Sequence, residues 1–227
     1  ENFDKINHTV QNREFLTHTG TYKGTAISVI SSGIGTDNID IVINELDALV
    51  NIDLEKRIPK KEHRSLNLIR IGTSGGLQED IPVDSFIATE ISVGFDGMLN
   101  FYKERNHVCD LQAETLFKEH MAWDSLLNTP YFVNASPKLL HSVAQNLRKG
   151  ITVSAPGFYG PQGRVLRLDL RVPQLNEKMR QFIYKEQQIT NYEMESSAIY
   201  GLARMLGHEA LTLCAIIANR YNKQYSK

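Results

Sequence analysis

The sequence predicts an α/β fold in which one domain is built on a mixed central β-sheet flanked by helices. Three observations carry this expectation. Short runs rich in β-branched residues alternate with segments whose apolar positions recur every three or four residues. No Pro/Gly/Ser-rich linker, low-complexity tract or internal repeat interrupts residues 1–227. A length of 227 residues is within the reach of a single α/β core.

Taken in order, Ala26 to Ile30 reads as a strand that runs into the turn-rich stretch Ser31 to Asn38. From Ile39 the positions Ile39, Val42, Ile43, Leu46, Leu49 and Val50 mark one face of a helix, with Asp37 or Asn38 as its expected cap. Leu66 to Ile71 reads as a second strand closed by Gly72-Thr73-Ser74-Gly75-Gly76, and Val83 to Val93 as extended chain. A short helical pattern lies near Leu111 to Phe117. Pro137 to Leu147 has a helix signature, with Ser136 at the N-cap, Pro137 at N1 and Gly150 beyond the end. Ile151 to Ser154 is a strand leading into the loop Ala155 to Arg164, and Gln174 to Glu186 is helical. Glu193 to Leu206 reads as a helix ended by Gly207, and Leu211 to Ala218 as a buried strand.

Lysine and arginine number 25 against 26 acidic residues, a formal net charge of -1. That balance argues against a partner bound through bulk phosphate neutralisation, so no nucleic acid is expected. No run approaches the roughly 18 apolar residues of a membrane span, so no membrane partner is expected either. Cys109 and Cys214 sit in no Cys-x-x-Cys motif, so neither a disulfide framework nor a zinc ribbon is expected. With no basic-then-apolar leader after Glu1, a reducing cytoplasm is the expected location. The histidines form no His-x-x-x-His or His-Glu-x-x-His pattern.

Several short motifs carry chemistry. Gly33-Ile34-Gly35 follows a strand and precedes a helix, but Asn38 occupies the third glycine position of a dinucleotide fingerprint, so a tight turn is the favoured reading. Gly72-Thr73-Ser74-Gly75-Gly76 matches Gly-x-Ser-x-Gly, yet Leu77 to Pro82 is too short and proline-broken for the helix that a nucleophile elbow requires. The segment offers accessible N–H groups, the Thr73 hydroxyl and the Arg70 guanidinium. These are parts of an anion site, or else a glycine turn with Arg70 in a surface ion pair. Gln162 and Arg164 together present donors and an acceptor suited to the edge of a planar heterocycle, and Phe158 offers a face for stacking. Glu193 and Glu195 precede an apolar helix, where they serve either the helix dipole or two vicinal hydroxyls. Asn219-Arg220 ends the last apolar strand.

The succession Arg13-Glu14-Phe15, Ser32-Gly33-Ile34-Gly35, Arg70 to Gly75, Phe158-Tyr159 with Gln162-x-Arg164, Asn191 to Ser196 and Asn219-Arg220 resembles the nucleoside phosphorylase superfamily of the hexameric type. Within it the pattern looks most like the uridine phosphorylases, Gln-x-Arg being the part that points to a pyrimidine. The resemblance implies a three-layer sandwich and phosphorolysis of uridine to uracil and ribose 1-phosphate, in nucleoside salvage or catabolism. Arg70 and Thr73 would bind phosphate, joined by Arg13 from a neighbouring subunit of a homodimer or homohexamer. Glu195, with Met194, Thr73 and Glu193, would hold the ribose. Gln162, Arg164, Phe158 and Arg220 would hold the uracil. No organic cofactor is implied, inorganic phosphate is the co-substrate, and Glu14 and Ile34 would lie near a potassium site.

Members of the family also carry a first strand with a Gly-Asp-Pro-x-Arg phosphate loop and a further C-terminal helix, and the natural chain is expected to have them beyond Glu1 and Lys227. The rival readings are a purine nucleoside phosphorylase, a phosphate-independent nucleosidase and a non-catalytic nucleoside-binding protein.

Overall fold

In the computed structural model, which describes residues 2–227, the first three strands make a sheet of their own. β1 (Lys5–Asn12), β2 (Phe15–Tyr22) and β3 (Thr25–Ile30) run antiparallel in that order. Lys23 and Gly24, both at positive φ (49° and 74°), link β2 to β3 in the manner of a two-residue hairpin. The sequence signalled β3 alone. β1 is exposed at every residue and has no apolar face from which an alternation could be read. Residues 2–34 form one compact unit and residues 35–227 another.

The second unit begins with α1 (Thr36–Asn51), followed by the small pair β4 (Ile52–Asp53) and β5 (Ile58–Pro59). Next come β6 (Asn67–Gly76), β7 (Phe86–Gly94), α2 (Arg105–Val108), α3 (Leu111–Met121) and β8 (Tyr131–Asn134). The chain continues through α4 (Pro137–Val143), β9 (Arg148–Ser154), α5 (Leu175–Gln181), β10 (Ile183–Tyr184) and β11 (Gln187–Glu193). It ends with α6 (Ser196–Met205), β12 (Glu209–Asn219) and β13 (Gln224–Tyr225).

The strand order is β13-β12-β6-β11-β9-β7-β8, with β10 paired to β11. Because β12 also pairs with β7, the path β12–β6–β11–β9–β7 closes on itself. The sheet is mixed: β12 with β6, β11 with β9 and β9 with β7 are parallel, whereas β6 with β11 and β12 with β7 are antiparallel. Ile39 and Ile43 of α1, Leu139 of α4, and Ile199 and Leu202 of α6 share one apolar core. Phe117 and Met121 of α3, with Leu175 and Met179 of α5, share a second one with Ile151, Val153 and Tyr192 of the sheet. Helices therefore bury apolar stripes against the sheet in two separate cores, the α/β arrangement the alternating pattern predicts.

Several boundaries differ from the sequence reading. The glycine run does not close β6 but lies within it, since β12 stays paired with it through Asn219↔Gly76, past a register shift between Ile216 and Ala218. Gly35 rather than Asp37 or Asn38 is the N-cap of α1. The helix after Pro137 stops at Val143, and Gly150 belongs to β9, where a Cβ would collide with the Thr190 methyl group. α5 is shorter than Gln174 to Glu186, because Ile183 and Tyr184 turn into a hairpin with Gln187 and Gln188. Glu193 closes β11 instead of opening a helix. No helix among the described residues is long and apolar enough to cross a membrane.

Candidate active site

Arg70 lies in β6 between neighbours that alternate with it in burial, and its guanidinium curls back over Gly72, where a Cβ would run into all three terminal guanidinium atoms. Curled this way, it meets two acids. Nη2 donates to Glu195 Oε2, and Nη1 lies 3.4 Å from Glu193 Oε2, buried and without a hydrogen-bond partner. Glu195 sits between β11 and α6, and its other oxygen accepts the backbone N–H of Gly35 at 2.7 Å. Gly35 holds φ 94° and ψ 161°, a conformation open essentially to glycine alone. Burial acts first to raise the Glu195 carboxyl above its ordinary value; Arg70 opposes this and Glu193 adds to it. Burial would lower the Arg70 pKa, but Glu193 and Glu195 outweigh it and raise the pKa.

The Glu193 carboxylate is engaged differently. It accepts the backbone N–H groups of Glu195 at 2.9 Å and Ser196 at 2.9 Å, together with the Ser196 hydroxyl at 2.6 Å, and so caps the start of α6. Met194 is half-buried between the two acids.

A second group assembles on the turn Tyr159 to Arg164. Gln162 is buried, and its Oε1 accepts from Arg164 Nη1 at 2.6 Å and from Arg220 Nη2 at 2.5 Å, while its carbonyl accepts from Arg220 Nη1. Arg164 also donates to the Phe158 carbonyl, and its guanidinium carbon lies 3.7 Å from the centre of the Phe158 ring. Arg220 lies 4.7 Å from the Tyr192 ring centre, with its Nε buried and unpartnered. Burial, and then Arg164, bring the Arg220 pKa down to about 10; burial lowers that of Arg164 as well. The strand ends bring these elements together, since Gly75 pairs with Tyr192 of β11 and with Ala218 of β12, two residues before Arg220. A cavity of about 760 Å³ opens beside this turn, lined by Phe95, Trp123, Tyr159, Arg164, Leu166 and Leu168.

Not every expected residue joins these groups. Thr73 is exposed and lies three positions from Arg70 along β6, which turns its side chain to the opposite face. Ser74 is mid-strand, and its hydroxyl accepts from Asn191 Nδ2 at 3.0 Å, so it is no nucleophile elbow. Arg13 occupies the turn between β1 and β2 at φ 52°. Glu14 is exposed at that turn, its carbonyl accepting from the Ser31 hydroxyl at 2.9 Å, and Ile34 is exposed. No cluster of three or more His, Cys, Asp or Glu suited to a metal occurs among the described residues. Glu14 contributes a single carboxylate, which does not by itself make a potassium site.

The sequence profile described as "Phosphorylase superfamily" matches residues 1–226. The chain belongs to the phosphorylase superfamily. Among phosphorylases, a uridine phosphorylase of Thermococcus kodakarensis is 29% identical over 233 residues, covering 99% of this chain and 69% of that protein. A DeoD-type purine nucleoside phosphorylase of Clostridium perfringens is 31% identical over 205 residues, covering 90% of this chain and 68% of that protein. In three dimensions the chain superposes with TM-score 0.85 on a Trypanosoma brucei nucleoside phosphorylase, described as showing uridine phosphorylase activity. That pair shares 28% identity, and the match covers 100% of this chain and 82% of the other.

Sequence reasoning missed three contributors to these two groups of this phosphorylase. Gly35 was read only as part of a turn. Tyr192, within Asn191 to Ser196, carries no local sign that its ring stands beside Arg220. Asn176, which takes the Tyr192 hydroxyl at 3.0 Å and donates to the Gln162 carbonyl at 3.4 Å, lies in no motif.

Proposed function

We propose that this phosphorylase cleaves uridine with inorganic phosphate to give uracil and ribose 1-phosphate. The observation that carries the reading is the meeting of Arg164 and Arg220 on Gln162 Oε1, two half-buried cations that form no ion pair among the described residues. Such a pair attracts negative charge, and the buried amide beside it suits the amide-like edge of a pyrimidine. The likeness to a Thermococcus uridine phosphorylase and to a trypanosomal enzyme with uridine phosphorylase activity supports the same substrate.

In the reaction a phosphate oxygen bonds to C1′ as the C1′–N1 bond breaks. The bonding pair leaves on the base as negative charge over N1, O2 and O4, and positive charge develops on the sugar. Arg164 and Arg220 stabilise the departing base, with Gln162 fixing its orientation and Phe158 stacking on it. Arg70 holds the phosphate, whose charge stabilises the cationic sugar. Glu195, once Arg70 turns to phosphate, accepts the ribose hydroxyls, with Met194 against the sugar. Arg13 is assigned to the phosphate by resemblance, and so is Thr73, against the strand alternation that sets it across β6 from Arg70; the homo-oligomer, the cytoplasmic location, the role in salvage, potassium near Glu14 and Ile34, and the treatment of the whole chain as one catalytic domain rest on resemblance too.

A purine reading has the Clostridium relative in its favour. It meets an obstacle at Asn219, where that family normally has an acid to protonate the base. Asn219 Nδ2 donates to the Gln78 and Ile81 carbonyls at 2.8 and 2.7 Å, and Oδ1 accepts from the Tyr221 and Asn222 N–H groups, so the side chain is consumed by structure. Incubation with uridine, thymidine or inosine, with and without phosphate, tests the assignment. Phosphate-dependent release of uracil supports it. Phosphate-independent release means a nucleosidase, preferential release of hypoxanthine a purine enzyme, and binding without release a non-catalytic protein.

A further inference from the structure

We propose that Ser92 and Ser196 are positioning residues that set the phosphate-binding arginine, acting on Arg70 through Glu193. The inference rests on the reading of Arg70 as the phosphate ligand. Ser92 comes from β7, Ser196 from the first turn of α6 and Glu193 from the end of β11, and both serines are fully buried. Their hydroxyl oxygens are 2.6 Å apart, and Ser196 Oγ is 2.6 Å from Glu193 Oε1.

The direction of these bonds follows from counting protons. A carboxylate can only accept, so the single hydroxyl proton of Ser196 goes to Glu193. Ser196 Oγ must then accept from Ser92, which spends its own proton in doing so. The chain therefore runs one way, Ser92 to Ser196 to Glu193, and ends at Arg70 Nη1, 3.4 Å from Glu193 Oε2.

Helix capping alone does not account for Ser92. The N–H groups of Glu195 and Ser196 already cap α6 through Glu193, whereas Ser92 reaches in from another strand and its hydroxyl bonds, among the described residues, the Ser196 hydroxyl alone. What the hydroxyl pair adds is a donor on Oε1 that fixes the carboxylate and keeps its second oxygen turned to Arg70. Fully engaged in this way, Glu193 orients the arginine and does not touch the sugar.

The test compares Ser92→Ala, Ser196→Ala, the double variant and Ser196→Thr in steady-state kinetics with uridine and phosphate varied separately, each protein being checked by its melting curve. Removing a donor to a buried carboxylate in Ser196→Ala is expected to raise KM for phosphate roughly tenfold or more, with KM for uridine within about twofold. Ser92→Ala should move the same constant by a smaller factor, the double variant should be no worse than Ser196→Ala, and Ser196→Thr should return most of the loss. An unchanged phosphate KM in folded Ser92→Ala and Ser196→Ala overturns the inference; so does a parallel rise in both KM values or an additive double variant. Should Ser196→Ala not fold, Ser92→Ala decides alone. If the unaltered protein releases uracil without phosphate, it is the Arg70 assignment beneath the inference that fails.

Discussion

The backbone N–H of Gly35 donates to Glu195 Oε1 at 2.7 Å, so the loop before α1 aims the carboxylate assigned to the ribose. A Cβ at position 35 would lie 2.7 Å from Asp37 Oδ1, and φ 94° is closed to other residues. Gly35→Ala is expected to cost about 1–3 kcal/mol of stability and to raise KM for uridine more than KM for phosphate. Thermal melting with separate KM measurements checks both.

Gly72→Ala should behave differently. The added methyl group meets the Arg70 guanidinium, the far end of a flexible side chain, which can move aside. The melting temperature is therefore expected to hold within a few degrees while KM for phosphate climbs, because Arg70 loses its place beside Glu193 and Glu195. A large fall in melting temperature with phosphate affinity intact would contradict this.

Arg164→Ala removes one of the two cations assigned to the leaving base, and turnover should fall about 10²–10³-fold by analogy with the loss of an oxyanion donor. Arg164→Lys should restore little, since a lysine cannot reproduce a planar fork that serves the Phe158 carbonyl and Gln162 Oε1 together. Near-normal turnover by the alanine variant would remove Arg164 from the mechanism.

The pH profile should be bounded by two shifted groups. Glu195 must be ionised to accept sugar hydroxyls, and burial raises its pKa, so kcat/KM for uridine is expected to fall on acidification at a pH above the usual carboxylate value of about 4.3. Arg220 is charged below its pKa of about 10, so kcat/KM should fall as pH rises through that value. Arg220→Gln should lose this alkaline limb, which separates it from titration of the substrate's own N3–H.

Asn219→Asp tests the purine alternative. A carboxylate there would face the Gln78 and Ile81 carbonyls with no proton to donate, leaving the Ile81 carbonyl unpaired and the Gln78 carbonyl with only the Ile81 N–H at 3.3 Å. The variant is expected to lose about 1–3 kcal/mol for the orphaned Ile81 carbonyl and to gain no cleavage of inosine. Hypoxanthine release by a stable Asn219→Asp protein would reopen the purine reading.

The parts of this site that were legible in the sequence share a property: each is a residue type whose chemistry needs no geometry to be recognised. Gln162, Arg164, Glu195 and Arg70 announce donors, acceptors and charge, and the buried run Leu211 to Ala218 announces a strand. Other parts depend on the path of the backbone. Thr73 looks like a partner of Arg70 until the glycine run proves to be strand, whereupon a spacing of three divides the two between opposite faces. The hydrogen bond from Gly35 to Glu195 joins residues 160 apart and leaves no local trace. β1 escaped notice because a fully exposed strand need not alternate.

Closure of the strand circuit by β12 bears on how the protein is made. Leu66 and His208, at the start of the β6–β12 ladder, are 142 residues apart in the chain, and Arg220 follows directly after that ladder. The pairing that brings Arg220 to Gln162 is thus among the least local in the molecule, and it cannot form until nearly all of these residues have left the ribosome. Folding governed by such distant contacts is slow, and competence should appear late and abruptly, after helices have formed.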